Sequence, residues 1–237
     1  MIAPDRRTMT QAQVEAAQID VGLREHMLRV YNYMASGVAL TGIVAYAVAS
    51  SPQMLQAIFG TPLAWVVMLA PLAFVLVLSF GINRLSLFAS QAIFWTFAAA
   101  MGLSLSSIFV VYTGSSIARV FFITAASFGA LSLYGYTTKR DLTGMHSFLI
   151  IGLFGIIIAS VVNIFMKSTG LEFAISVIGV LVFAGLTAYD TQRIKSMYLE
   201  SDGHETAGKK AVMGALTLYL DFINLMMMLL RLIGDRR

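Results

Sequence analysis

From Val30 to Asn83 the chain carries no Asp, Glu, Lys or Arg. Soluble domains place charged residues at roughly one position in four, because their surface elements repeatedly meet water. A stretch this long without charge has no water-facing side to offer. Two polar breaks interrupt it: "SSPQ" at Ser50–Gln53 and the turn Gly60-Thr61-Pro62. They leave apolar runs over about 30–50 and 62–82, each close to the ~20 residues that carry a helix across a bilayer. The run therefore predicts a chain dissolved in lipid.

The pattern continues beyond Arg84. An uncharged run covers Leu85–Ala118, and "YTGSS" at Tyr112–Ser116 ends the third span within it. Span four covers about 117–137, before "TTKRD" at Thr137–Asp141. Spans five, six and seven cover about 146–166, 173–194 and 211–233, with the hydrophilic "KSMYLESDGHETAGKK" between the last two. Composition agrees, with 58% hydrophobic and 12% charged residues and a mean hydropathy of +0.81. The runs are continuous rather than alternating, so they read as helices and not as barrel strands. The expected fold is all-α: a polytopic membrane bundle of seven transmembrane helices over 28–237, behind a polar tail at 1–27. Pro71 is expected to kink span two. Ala98/Gly102/Ser106 and Ala126/Ala130 have the spacing that lets helices approach closely.

The first 29 residues hold Asp5, Arg6, Arg7, Glu15, Asp20, Arg24, Glu25 and Arg29 and no apolar core of a signal peptide. The first span is therefore expected to act as an uncleaved anchor. Basic residues set the orientation. With the N-terminus cytoplasmic, that side holds Arg6, Arg7, Arg24, Arg29, Arg84, Lys139, Arg140, Arg193, Lys195, Lys209 and Lys210; the other holds Arg119, Lys167, Arg231, Arg236 and Arg237. The C-terminal "GDRR" is the misfit. Seven spans put it outside, and a re-entrant span seven would return it to the cytoplasm.

The net charge of +4 lies in short patches between apolar runs, which is a topology signal and no sign of nucleic-acid binding. The absence of cysteine excludes disulfides, thiolate metal sites and cysteine nucleophiles. His26, His146 and His204 lack HxxxH or HExxH spacing, so a zinc site is not expected. No cofactor is expected.

Two acids stand out. Asp221 lies at the middle of span seven, in "ALTLYLDFINLMMMLLRL". A carboxylate at such depth costs on the order of 2.5–3.5 kcal/mol, so it must face the bundle interior. Asn224 lies three residues on, along the same face. The Met226–Met228 cluster reads as lipid-facing or as packing filler. Asp190 ends the uncharged run Phe173–Tyr189, with Thr187 at i−3 and Arg193 at i+3. Span six ends and span seven begins on the same side, so the two acids are placed to meet. Two carboxyls in contact cannot both ionise cheaply, so they share a proton; both ionised, they form a cation site. The blander readings are a local Asp190–Arg193 pair, a structural Asp221 paired elsewhere in the bundle, and Arg84 and Arg231 as markers of span ends.

The segments "AYDTQRIK", "LTLYLDFINLMMMLLRLIG", "SLYGYTTKRDL" and "WTFAAAMGLSLSSIF" resemble the Bax inhibitor-1 (transmembrane Bax-inhibitor-motif) family, most closely its bacterial inner-membrane members. The resemblance covers essentially the whole chain after residue 25. It implies a seven-helix bundle with the last helix near its centre, a di-aspartyl pH sensor and a pH-sensitive calcium leak. By position the sensor and transient calcium site is Asp190 with Asp221, Arg84 is the latch, and Arg231 matches a basic position of the final helix. Two departures stand out. The Lys195–Lys210 loop is longer than in some bacterial relatives, and span two holds no acid to partner Arg231.

Three functions compete. The first is a passive calcium or cation leak, with the bilayer, calcium and protons as partners. The second is a regulator of other membrane proteins or of a stress response, with the acids as polar glue between helices. The third is an intramembrane aspartyl protease. Tyr189-Asp190 matches half of such a motif, but Tyr219-Leu220 precede Asp221, and the Gly-Asp pair is Gly234-Asp235 at the tail. A proton-coupled transporter lacks the expected inverted repeat or broken-helix pair.

Overall fold

The computed structural model describes the backbone of residues 11–237 and the side chains from residue 21 onward. Arg6, Arg7 and the first ten residues of the expected tail lie outside the described residues. Among the described residues the chain forms nine helices: α1 Gln11–Ala49, α2 Pro52–Phe59, α3 Leu63–Gly81, α4 Leu87–Leu105, α5 Ile108–Val111, α6 Gly114–Thr137, α7 Thr143–Met166, α8 Thr169–Ser196 and α9 His204–Ile233. Seven segments are long and apolar enough to cross a membrane: α1 from Val21, α3, α4 continued by α5, α6, α7, α8 and α9.

The polar breaks act as helix caps. Ser51 accepts from the Met54 amide, and Pro52 opens α2 where its missing N–H is no loss. Ser86, Thr113 and Ser168 cap α4, α6 and α8 in the same way. Ser106 and Ser107 end α4 from within the third span: their hydroxyls donate to Leu103 O (2.7 Å) and Ser104 O (3.1 Å), competing with the helix ladder. Much of the stretch read as an N-terminal tail is helical, with His26 and Met27 buried in the bundle. The loop between spans six and seven is likewise shorter than the polar sequence implied, because α8 runs to Ser196 and α9 starts at His204. α3 continues through Pro71.

The ends alternate between two faces. The start of α1, the α3–α4 turn, the α6–α7 loop and the α8–α9 loop lie at one, the N-terminal face. The tail lies at the other. α9 is unbroken over 30 residues, about 45 Å, so it crosses fully and the re-entrant alternative is corrected. The tail docks beside Arg119. Thr113 N–H donates to Asp235 O (3.1 Å), Arg237 N–H to Val111 O (2.9 Å) and Asp235 N–H to Ser116 Oγ (2.8 Å). Arg119 pairs with the Asp235 carboxylate at 2.8 Å, and Arg236 with Glu172.

α9 is the central helix, packed against α8, α1, α6, α4 and α3. Its Tyr219 is fully buried, edge-on to Phe97 (5.0 Å) and Phe94 (6.4 Å). The Tyr219 hydroxyl meets Thr41 Oγ1 at 2.6 Å, and Thr41 Oγ1 lies 2.7 Å from Ala98 O. This joint ties α1, α4 and α9 together. Ala98 and Gly102 lie in the α1–α4 contact, where Thr41 bonds Ala98 O and a side chain at Gly102 would come within 2.7 Å of Thr41 O, and Ser106 is buried just past the end of α4. Ala126 and Ala130 do not act this way. Both are exposed, and α6 meets α8 through Gly135, where a Cβ would overlap Ala188 O. Met226 and Met228 are buried, Met228 beneath Gly179 of α8, so the cluster is packing rather than lipid surface.

Candidate functional site

α8 presents Asp190 and α9 presents Asp221 at the seam where these antiparallel helices pack. The carboxyls lie within hydrogen-bond reach of each other. Asp190 is 8% exposed and Asp221 5%. Asp221 Oδ2 is buried with no hydrogen-bond partner. No ion pair to either acid forms within 4 Å among the described residues. An unpartnered carboxylate oxygen inside a protein is costly.

The seam is held from the α6 side by a hydroxyl chain. Tyr31 OH and Ser132 Oγ are 2.6 Å apart, Ser132 Oγ and Thr191 Oγ1 2.9 Å, and Thr191 donates to Thr187 O at 2.7 Å. With Gly135 against Ala188, these contacts clamp the turn of α8 that carries Asp190. The chain ends on a carbonyl, so it positions α8 and does not carry protons to the acids.

Arg193, one turn on, and His146 of α7 lie near Asp190. His146 stacks on Tyr189 at 4.6 Å. Beyond them, at the N-terminal face, a cavity of about 320 Å³ is lined by Lys139, Arg140, Asp141, Tyr189, Gln192 and Arg193, among others. Gln192 shapes this basin: it accepts from the Leu142 amide (2.9 Å) and donates to Arg140 O (2.8 Å). The hydroxyl and amide of Thr143 hold the Asp141 carboxyl below the usual carboxylate range.

Arg84 stands apart. It is exposed in the α3–α4 turn and forms no ion pair with Asp190 or Asp221, so the expected latch is not closed in this conformation. The local Asp190–Arg193 pair is not formed within 4 Å either. Asn224 is half-buried, one turn beyond Asp221. Arg231 is exposed near the C-terminal face, lining a cavity of about 300 Å³ with Ser160, Asn163 and Glu172. An acid therefore does share Arg231's surroundings, from α8 rather than from span two. Gly234-Asp235 lies about 20 Å along α9 from Asp221, so no Gly-x-Gly-Asp arrangement faces the pair.

The family model described as inhibitor of apoptosis-promoting Bax1 matches residues 23–237. The chain belongs to this Bax inhibitor-1 family. It is 48% identical to the inner membrane protein YbhL of Escherichia coli, over 91% of this chain and 94% of that one. A Rickettsia prowazekii protein is 50% identical over 92% of both chains. A Streptococcus pyogenes membrane protein is 36% identical over 92% of this chain and 95% of its own. Among its described residues this Bax inhibitor-1 family chain has the seven helices, long and apolar enough to cross a membrane, already described.

His146, the Tyr31–Ser132–Thr191 chain, Gln192 and Glu172 were not singled out by sequence as parts of a site. Most of them act on residues forty or more positions away in the chain, and no local spacing signals such a contact. Glu172 alone had a local cue, as the acid in the first turn of α8.

Proposed function

We propose that this protein is a pH-sensitive passive leak for cations, calcium foremost, with Asp190 and Asp221 as both transient ion site and proton sensor. The observation that carries this reading is the contact of two buried carboxyls from α8 and α9, with one oxygen of Asp221 left unpartnered. Two carboxyls hydrogen-bond to each other only when one is protonated. With both ionised, they offer hard oxygen ligands to a divalent ion. Proton and cation then compete for one place, which makes the flux depend on pH. Among the described residues no three His, Asp or Glu side chains cluster, and two carboxylates hold calcium weakly, as passage requires.

The basic residues favour the N-terminal face as cytoplasmic. In that orientation the basin of Lys139, Arg140 and Arg193 repels cations at the inner mouth and stands between the cytoplasm and the pair. Arg84 acts as the latch in a second conformation. When both aspartates ionise, the α3–α4 turn moves and the guanidinium reaches the pair.

Calcium flux in proteoliposomes across a pH series tests the reading. The expected result is that Asp221→Asn abolishes the pH response and changes the flux by about tenfold, and that Asp190→Asn does the same. Arg84→Gln is expected to raise the flux under the conditions where the wild type is closed. Unchanged flux with an unchanged pH response in the folded aspartate variants ends the proposal and leaves the pair as polar glue between helices.

A further inference from the structure

α1 and α6 run side by side at the N-terminal face without packing closely. They are not among the helix pairs in substantial contact, although each packs on α9. The gap is a groove of about 690 Å³, within the range that holds small-molecule ligands. Met27, Leu28, Phe128, Gly129 and Leu133 make its walls. Its wall residues run from 24 to 31 on α1 and from 128 to 136 on α6, about 12 Å of helix, most of the ~15 Å of hydrocarbon in one leaflet.

One end of the groove is cationic. Arg24 lines it at the N-terminal face, is exposed, and forms no ion pair among the described residues. Tyr136 lines the same end, and the Lys195 ammonium sits 5.0 Å over its ring while donating to its carbonyl at 2.8 Å. No acidic side chain lines the groove. The remaining polar atoms, Tyr31 OH and Ser132 Oγ, face each other at 2.6 Å.

We propose that this groove binds one anionic phospholipid of the leaflet at the N-terminal face, an acyl chain lying between α1 and α6 and the phosphate held by Arg24 and Lys195. Several observations converge on that occupant. The walls are apolar, Arg24 stands on the rim, and Lys195 sits behind it against the rim residue Tyr136, matching a lipid with a negative headgroup. The groove's length matches a leaflet, and its position in a membrane-crossing bundle gives lipid direct access. A zwitterionic lipid fits the walls equally well but gains less from the rim. The acyl chain packs beside the Tyr31–Ser132–Thr191 chain, so occupancy stiffens the joint that holds the turn of α8 bearing Asp190.

The test uses the full chain purified in mild detergent and examined by native mass spectrometry. It is incubated with phosphatidylglycerol, with phosphatidylcholine of the same acyl chains, or with glycerol 3-phosphate, which has a headgroup and no chains. The expected result is one retained phosphatidylglycerol, preferred about tenfold over phosphatidylcholine, and no retention of glycerol 3-phosphate. Gly129→Phe fills the groove at a position where a Cβ meets nothing within 4 Å, so the fold is kept while lipid retention is lost. The double variant Arg24→Gln, Lys195→Gln is expected to remove the headgroup preference and keep the acyl contact. Equal retention by wild type and the folded Gly129→Phe protein overturns the proposal, as does retention of glycerol 3-phosphate alone. The chain has no native cysteine, so Gly129→Cys provides a unique probe in membranes. A disulfide-linked dimer through that cysteine means that a second copy covers the groove, and also overturns the proposal.

Discussion

α7 and α9 are both long apolar helices that cross the bundle from face to face, yet they occupy opposite environments. About 11% of α7's most apolar window is buried within the protein, against 61% for α9. The more hydrophobic of the two is on the outside. From Phe148 to Ala159, α7 has no polar side chain at all, and Phe148, Ile151, Phe154 and Ile158 face outward. α9 carries Thr217, Tyr219, Asp221 and Asn224 through its middle. In water the rule runs the other way, because exclusion from solvent drives apolar groups inward. Lipid is as apolar as leucine, so nothing pulls α7 inward. Polar groups that need partners, and small residues that admit close contact, select the central helix.

The largest test of that contrast is truncation of one aromatic on each helix. Tyr219→Ala removes a ring wedged among Phe94, Phe97 and Thr41 and is expected to cost about 3–5 kcal/mol. Phe154→Ala, at a position 60% exposed to the lipid side, is expected to fall within about 0.5 kcal/mol of wild type. Thermal midpoints of both variants in one detergent check this. Similar losses for the two would break the contrast. A finer test is Tyr219→Phe, which keeps the ring and deletes the hydroxyl facing Thr41. Its expected loss is about 0.5–1.5 kcal/mol, and Thr41→Val on that background should cost about as much again, because it also deletes the bond from Thr41 to Ala98 O.

The smallest effect concerns the N-terminal end of α7, where Asp141 accepts from the Thr143 amide at 2.8 Å. Its carboxyl is held below the ordinary range by that residue's hydroxyl and amide. A depressed carboxylate stabilises above its unfolded-state value, and that contribution disappears as pH falls through the folded-state value. Acidification below the ordinary carboxylate range should therefore fray this end of α7 slightly in hydrogen exchange. Asp141→Asn should remove the pH dependence there and leave exchange in α9 unchanged.

Much of this architecture was legible in the sequence. Charge-free runs set the number of spans, and Ser51 and Thr113 lay in polar breaks visible in the sequence, whereas the caps Ser86 and Ser168 emerged only in the structure. Asp190 and Asp221 announced themselves because an acid within an apolar span needs a reason. The misreadings share a cause. Ala126/Ala130 and Ala98/Gly102/Ser106 have the same small-residue spacing, but only the second stripe faces another helix, because spacing does not say which way a helix is turned. The polar stretch before span seven looked like loop because charge was read as irregular structure, yet helices run on past the lipid into water. Arg84, which the resemblance makes the latch, lies exposed in its turn and away from the acids in this conformation, because its place between spans fixes its side of the membrane and not its contacts.

By itself the sequence determined that this chain lives in lipid, how many times it crosses, and which two acids cannot be left facing the acyl tails. Charge and hydropathy act residue by residue, so a linear reading recovers them. Only the tertiary structure decided that Ser132, Gly135, Ala188 and Thr191 clamp the seam, that His146 comes to Tyr189, and that α1 and α6 stay apart to leave a groove. Those outcomes depend on helix rotation and close approach between segments distant in the chain, where steric fit and hydrogen-bond geometry select one arrangement.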